Sequence, residues 1–222
     1  LDAVALNSSG ETRLDGSMNV GSLTTNTGGT SLLNDGTITS VGAVTFNDAV
    51  ALGVDLTVAT TNANVLFGAT VNSADATARD LTVNAGSGNI RFAGTVGATQ
   101  ALDAVALNSS GETRLDGSMN VGSLTTNVGG TSSLNGGSIT SVGAVTFNDN
   151  VTMGADLTIT TTNANVLFGA TVNSVDATAR DLTVNAGSGN IRFAATVGAT
   201  QALDAVALNS TGDTRLNASL NV

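Results

Sequence analysis

Few residues of this chain could do chemistry, because the sequence contains no His, Cys, Lys, Tyr or Trp. Carboxylates and hydroxyls are the remaining candidates for proton transfer or nucleophilic attack. Asp55 and Asp80 are the best pair, because the strand register outlined below puts them on neighbouring turns. The pair recurs as Asp156 and Asp181. Such carboxylates could cleave a polysaccharide, but a duplicated pair is also what a structural column predicts, so we favour a solvated acidic edge and assign no catalytic residue.

The same acids raise the question of metal binding, since Ca²⁺ needs roughly six to eight oxygen ligands. The Asp residues are dispersed, and the sequence has no Gly-Gly-x-Gly-x-Asp nonapeptide of the calcium-binding β-roll type. Thr24, Thr57 and Thr82 lie at strand centres, as Thr does on ice-binding faces, but Ser22 and Asp55 interrupt the second Thr column that such a face needs. We predict no metal and no cofactor, with calcium and ice binding as alternatives.

Arg91 and Arg114 form a third candidate site. Each precedes an apolar residue, Phe92 or Leu115, and the spacing puts the two guanidinium groups on adjacent turns. Like charges that close destabilise a sheet unless they are paired, and Glu112 lies on the same strand face as Arg114. The sequence therefore predicts a local salt-bridge cluster, with an anion or glycan site as the alternative.

Composition limits the partners. A net charge of −10 with a pI near 4.1 opposes the electrostatics of nucleic-acid binding. No run of 18 apolar residues occurs, so we expect no membrane insertion. A hydrophobic fraction of 41% with few charges predicts a folded chain. The absence of Cys excludes a disulfide scaffold but not secretion.

An internal repeat organises the whole chain. The segment that begins at Leu1 returns at Leu102 and Leu203, and residues 1–101 and 102–202 differ at only twelve positions. We therefore expect one continuous domain over residues 1–222, made of repeats 1–101 and 102–202 and a partial copy, 203–222. Because the chain begins without Met and stops inside a third copy, we interpret it as a window on a longer array.

A shorter and uneven period lies inside the repeat. Apolar anchors followed by Gly, Asn or Asp, one of them a looser case, occur at Leu14, Leu33, Phe46, Phe67, Phe92 and Leu115. Short alternating segments bounded by Gly, Asn and Ser indicate strands, and no hairpin signals accompany them. The pattern predicts an all-β, right-handed parallel β-helix, a β-solenoid, with four to five turns per 101-residue repeat. The step from Leu33 to Phe46 is too short for a normal turn and leaves the number of turns open.

The anchors define a predicted core. We expect all six Phe residues to point inward, with five Leu residues in line with them, and we expect the Gly or Asp after each anchor to suit a corner with positive φ. The predicted inward residues are Phe46, Phe67, Phe92, Phe147, Phe168 and Phe193, with Leu14, Leu33, Leu115, Leu134 and Leu216.

Two stretches carry a family resemblance. Residues 134–148, Leu-Asn-Gly-Gly-Ser-Ile-Thr-Ser-Val-Gly-Ala-Val-Thr-Phe-Asn, and 181–187, Asp-Leu-Thr-Val-Asn-Ala-Gly, resemble the degenerate repeats of filamentous-haemagglutinin-like giant exoproteins. The resemblance implies a right-handed parallel β-helix shaft, exported by a partner pore or a fused barrel and used in adhesion or surface display.

From these observations we expect a non-enzymatic structural or adhesive rod, located outside the cell or on the bacterial cell surface. Its main partner would be itself, through continuation of the array or through head-to-tail or lateral assembly. Surface glycans or a host receptor, bound by regions outside these residues, are further candidate partners, and nucleic acid is not.

Overall fold

The computed structural model describes residues 2–222, so Leu1, with which we begin the first repeat, lies outside the described residues. Most strands are short, and along most of them buried residues alternate with more exposed ones. The strands of the first repeat are β1 (Ala3–Leu6), β2 (Glu11–Leu14), β3 (Met18–Val20), β4 (Ser22–Thr25), β5 (Thr30–Leu33), β6 (Thr37–Ser40), β7 (Val44–Phe46), β8 (Ala49–Leu52), β9 (Leu56–Thr60), β10 (Val65–Phe67), β11 (Val71–Ser73), β12 (Leu81–Gly86) and β13 (Ile90–Phe92).

The second and third copies continue in the same way, and two of their strands, β14 and β16, are longer. The strands are β14 (Leu102–Ser109), β15 (Glu112–Leu115), β16 (Met119–Thr126), β17 (Thr131–Leu134), β18 (Ser138–Ser141), β19 (Val145–Phe147), β20 (Asn150–Met153), β21 (Leu157–Thr161), β22 (Val166–Phe168), β23 (Val172–Ser174), β24 (Leu182–Gly187), β25 (Ile191–Phe193), β26 (Val206–Ser210) and β27 (Thr214–Leu216).

These strands stack as a parallel β-solenoid of about ten turns, which confirms the predicted fold class. The coil has three faces. Face 1 begins with β1, β4 and β7, face 2 with β2, β5 and β8, and face 3 with β3, β6 and β9. Each strand pairs with the strand on the same face one turn later. The turns differ in length: the turn from Val4 to Leu23 is among the shortest, and the turn from Leu66 to Arg91 is among the longest.

The number of turns per repeat is not an integer. The first repeat has thirteen strands and one further rung at Val96, which bridges Val71 to Met119, so it occupies fourteen face positions. Three positions make one turn, and a repeat therefore makes four and two-thirds turns. Val4 lies on face 1, whereas Val105, its copy in the second repeat, pairs with Leu81 on face 3. The repeat therefore has neither four turns nor five, but a number between them.

The phenylalanine core is confirmed, and all six Phe side chains are at most 1% exposed. Phe46, Phe67 and Phe92 stack on face 1, with ring centroids 5.5 and 4.7 Å apart. Phe147, Phe168 and Phe193 repeat this stack one face away, at 5.6 and 4.7 Å. Flat stacking of this kind follows from parallel in-register pairing, which puts identical side chains one above another.

The predicted alignment of the Leu residues with Phe is wrong in part. Leu115 and Leu134 do continue the stack above Phe92. Leu14 and Leu33 instead align with Leu52 on face 2, because the short step from Leu33 to Phe46 crosses to another face rather than completing a turn. Leu216 lies in line with Phe193, as predicted, and is 43% exposed in the last described strand.

The predicted positive φ after each anchor is also wrong. Gly68 and Gly94 do not have positive φ; a Cβ on either residue would press against the backbone of the preceding turn, at Phe46 and Ala69 respectively. Glycine allows close approach between turns there, although the copy of Gly94 in the second repeat is Ala195, which carries a Cβ. Positive φ occurs elsewhere, for example at Asn62 and Asn163 with values of 57° and 58°.

Candidate functional site

Asp55 and Asp80 lie on adjacent turns at one corner of the coil, as the sequence predicts. The backbone N–H of Asp80 donates to Asp55 Oδ1 at 3.0 Å, and the N–H of Ala104, one turn further on, donates to Asp80 Oδ1 at 2.9 Å. The second pair repeats this geometry, with Asp181 N–H donating to Asp156 Oδ1 at 3.0 Å. Each carboxylate thus receives a backbone N–H of the next turn, at a corner where strand pairing leaves that group without a partner.

This arrangement gives the acidic pair a structural role. Oδ1 of each carboxylate accepts a backbone N–H, and Oδ2 makes no hydrogen bond among residues 2–222. Asn side chains do the same at another corner, where Asn89 N–H donates to Asn64 Oδ1 and Glu112 N–H to Asn89 Oδ1, both at 2.8 Å. Asp and Asn are interchangeable in this role, since only a side-chain oxygen is needed.

The arginine pair lies where the sequence predicts, but its partner differs. Arg91 and Arg114 are opposite each other on adjacent strands, β13 and β15, and both face outward. Arg91 Nε donates to Asp116 Oδ2 at 2.8 Å and Arg114 Nε to Asp116 Oδ1 at 2.7 Å. The expectation that Glu112 pairs with these arginines is therefore wrong: Asp116 lies at the corner after β15, between the two guanidinium groups, and Glu112 makes no ion pair with either.

The neighbouring hydrogen-bond donors favour the ionised form of Asp116. Partial burial opposes the charge, but hydrogen bonds from Asn135, Arg114 and Arg91 outweigh it and lower the pKa of Asp116. Asn135 Nδ2 donates from the next turn at 2.9 Å. The hydrogen bond to Asp116 in turn raises the pKa of Arg114. One carboxylate therefore joins three successive turns, and sequence reasoning missed it although it is almost adjacent to Arg114 in the chain.

A groove of about 200 Å³ accompanies this cluster, and its lining includes Leu66, Arg91, Glu112 and Arg114. We call it the first arginine groove. A second arginine groove, of about 190 Å³, lies one repeat later on face 3, with Arg192, Asp213 and Arg215 at the corresponding positions. Equivalent positions of the repeat therefore line both grooves.

Two buried carboxylates were also missed by sequence reasoning. Asp48 is 2% exposed and accepts hydrogen bonds from the hydroxyls of Thr25, at 2.6 Å, and Ser31, at 2.9 Å. Asp149 is 3% exposed and accepts equivalent bonds from Thr126 at 2.7 Å and Ser132 at 3.0 Å. No sequence motif signals this cluster, because its residues belong to different turns. Which residues of different turns are neighbours can be predicted only from the turn lengths.

Asp149 has no compensating cation. Among residues 2–222, no guanidinium lies within 4.0 Å of either buried carboxylate. Burial raises the pKa of Asp149, and the hydroxyls of Thr126 and Ser132 offset only part of that effect. A buried carboxylate without a cation favours the protonated form.

The described residues bring together no group of three or more acidic residues with the geometry of a metal site. They also include no helix with the length and hydropathy needed to cross a membrane.

No protein-family model, curated protein or solved structure matches this chain. The assignment of the fold therefore depends on the parallel strand pairing alone. What the chain does must be inferred from three features of that fold: the continuous coil, the capped acidic corners and the two arginine grooves.

Proposed function

We propose that this chain is part of a non-enzymatic structural or adhesive rod of a large secreted or cell-surface bacterial protein. The single observation that carries the proposal is the continuity of the coil across the repeat boundary. Strand β14, which begins the second repeat, pairs with β12 of the first repeat on one side and with β16 on the other. Each further copy of the repeat would therefore lengthen the same coil rather than add a separate bead.

The resemblance to filamentous-haemagglutinin-like exoproteins supports this proposal, because a parallel β-helix shaft is the fold that it implies. The capped acidic corners support the non-enzymatic part. Asp55 and Asp80 accept backbone hydrogen bonds, as their copies do in the second repeat. In the polysaccharide-cleaving, calcium-binding and ice-binding alternatives, these residues or their Thr neighbours would have to bind a ligand instead. On face 3 the outward Thr57 and Thr82 are followed by Ala106, which interrupts the Thr column.

The non-integer repeat makes such a rod uniform around its axis. Because each repeat advances by four and two-thirds turns, equivalent surface residues move to another face in every copy and return after three copies. Along three successive repeats of an array, each surface residue would therefore occur once on each of the three faces. This geometry suits a shaft that keeps its distal end away from the cell, whereas a rod that lay flat on a surface would need one constant face.

Length measurements test this proposal. Proteins with two, three and four complete repeats should appear in electron micrographs as straight particles that lengthen by about 22 Å per repeat, at about 4.8 Å per turn. A chain of globular beads would lengthen by roughly 34 Å per 100 residues instead. Equal lengths for all three proteins would contradict the proposal. Particle length measured against concentration separates a covalent shaft, whose length stays constant, from subunits that stack end to end.

A further inference from the structure

The two arginine grooves differ at one residue that matters for charge. The carboxylate of Asp116 bridges Arg91 and Arg114 in the first groove. The position of Asp116 is occupied by Asn217 one repeat later, next to Arg192 and Arg215. The second groove therefore keeps both arginines and lacks the acid that pairs them.

The backbone around this position is the same in both grooves. The N–H of Asp116 donates to Phe92 O at 2.9 Å, and the N–H of Asn217 donates to Phe193 O at 3.0 Å. Arg192 and Arg215 are opposite each other in the strand register, as the arginines of the first groove are. The two grooves thus share the strand register and this backbone bond and differ in side-chain charge; in addition, β15 pairs with β17 on its far side, whereas β27 pairs with β25 alone among the described strands.

The arginines of the second groove have no carboxylate partner among residues 2–222. Neither Arg192 nor Arg215 takes part in an ion pair or a side-chain hydrogen bond, and both are exposed. The nearest acid in the groove lining is Asp213. Its counterpart in the first groove, Glu112, makes no ion pair with Arg91 or Arg114, which both pair with Asp116. Two like charges opposite each other on neighbouring strands destabilise the sheet unless an anion pairs them.

We propose that the second arginine groove binds one carboxylate group of an acidic ligand, at the place that Asp116 occupies in the first groove. The carboxylate would accept a hydrogen bond from the Nε of each arginine, one to each oxygen, as Asp116 does. Arginine is well suited to this contact because its planar guanidinium presents several N–H donors to a carboxylate. The shared chemistry is a carboxylate, which a uronic-acid sugar and an acidic protein side chain both carry.

Side-chain NMR of the seven arginines tests this proposal directly. We would titrate the 222-residue protein with sodium glucuronate and, separately, with N-acetylaspartate methylamide, at constant ionic strength. The Nε–H signals of Arg192 and Arg215 should shift and saturate, while those of Arg91 and Arg114 stay in place because Asp116 already occupies them. The probe that saturates at the lower concentration identifies the source of the carboxylate.

Three variants make the test specific, and each changes one charge. Asn217→Asp restores the internal carboxylate and should weaken probe binding by on the order of tenfold or more, the effect of losing a charge-assisted hydrogen bond. Asp116→Asn should make Arg91 and Arg114 respond to the probe. Asp213→Asn removes an opposing charge and should tighten binding.

Two results would overturn the proposal. The first is a wild-type titration in which Arg192 and Arg215 do not shift, or in which all seven arginines shift together without saturation. The second is probe binding that Asn217→Asp leaves unchanged. Urea unfolding of each variant shows whether it is folded, and because Asn217→Asp introduces the residue that the previous repeat already tolerates, that variant is informative even if Asp116→Asn does not fold.

Discussion

Phe92 packs directly against Leu115, which lies one turn later in the coil, and not against the next Phe of the sequence, Phe147. The phenylalanine stack of the first repeat thus continues as leucine in the second, while Phe147 begins a new stack on another face. This relationship follows from the four and two-thirds turns of each repeat, and it determines which side chains of different copies meet.

The phenylalanine stack should contribute strongly to stability. Phe67 is fully buried between Phe46 and Phe92. Removing its ring leaves a cavity that parallel stacking cannot close, so Phe67→Ala should lower the free energy of unfolding by about 3–5 kcal/mol. Urea denaturation followed by circular dichroism measures this. Val41→Ala, at a position that is 67% exposed, is the matched control and should change the free energy little. Equal effects of the two changes would mean that the inward register is wrong.

The buried Asp149 should give stability a pH dependence of unusual sign. Its pKa is raised by burial, so between its unfolded value, about 3.9, and its folded value the native state binds more protons than the unfolded state. The stability that this residue contributes therefore falls as pH rises through that window. Asp149→Asn removes the effect, and the variant should gain stability relative to wild type as pH increases.

Urea denaturation of both proteins at a series of pH values from 4 to 8 measures this difference. The comparison with wild type is needed because Asp116 acts in the opposite direction: its pKa is lowered, since its hydrogen bonds outweigh burial, and its contribution is lost as pH falls. A stability difference between Asp149→Asn and wild type that does not change with pH would contradict the prediction.

The acidic corner residues should behave as caps of the backbone. Asp80 accepts the N–H of Ala104, so Asp80→Ala leaves that N–H without its partner and should cost about 1 kcal/mol of unfolding free energy. Asp80→Asn keeps an oxygen at the same place and should cost clearly less. Thermal unfolding of both variants tests this, and equal losses in the Asn and Ala variants would show that the negative charge, not the hydrogen bond, is what matters.

The sequence was sufficient to predict the parallel β-solenoid and the inward phenylalanines, because both follow from local alternation and from spacings near one turn. It was not sufficient to place Leu33 relative to Phe46. The step between these two anchors is either a short turn or part of a longer one, and only the pairing of Leu33 with Leu52 decides between them.

The candidate sites show the same limit. Asp55 and Asp80 were predicted to be neighbours, and they are, since their spacing matches one full turn between two equivalent corners. The partner of Arg114 was assigned to Glu112 rather than to Asp116, although both are equally close to it in the chain. Glu112 lies within strand β15, whereas Asp116 lies at the corner that follows Leu115. Strand alternation predicts the side-chain direction within the strand, but it does not predict where a corner side chain points.

The number of turns per repeat can be tested directly, because the chain has no cysteine and any introduced pair reports on a single contact. Ser133 and Thr152 are opposite each other on adjacent strands, β17 and β20, whereas Thr146 lies on another face, between Thr125 and Leu167. In a coil of five turns per repeat, the short step that separates Ser133 from Thr146 would instead complete a turn and put these two residues side by side.

The decisive measurement compares disulfide formation in two double variants, Ser133→Cys with Thr152→Cys and Ser133→Cys with Thr146→Cys. Adjacent parallel strands are about 4.8 Å apart, within the Cα separation that a disulfide spans. Four and two-thirds turns per repeat predict that the first pair is linked rapidly on mild oxidation while the second stays reduced. Rapid linkage of the second pair, with the first pair unlinked, would contradict this architecture.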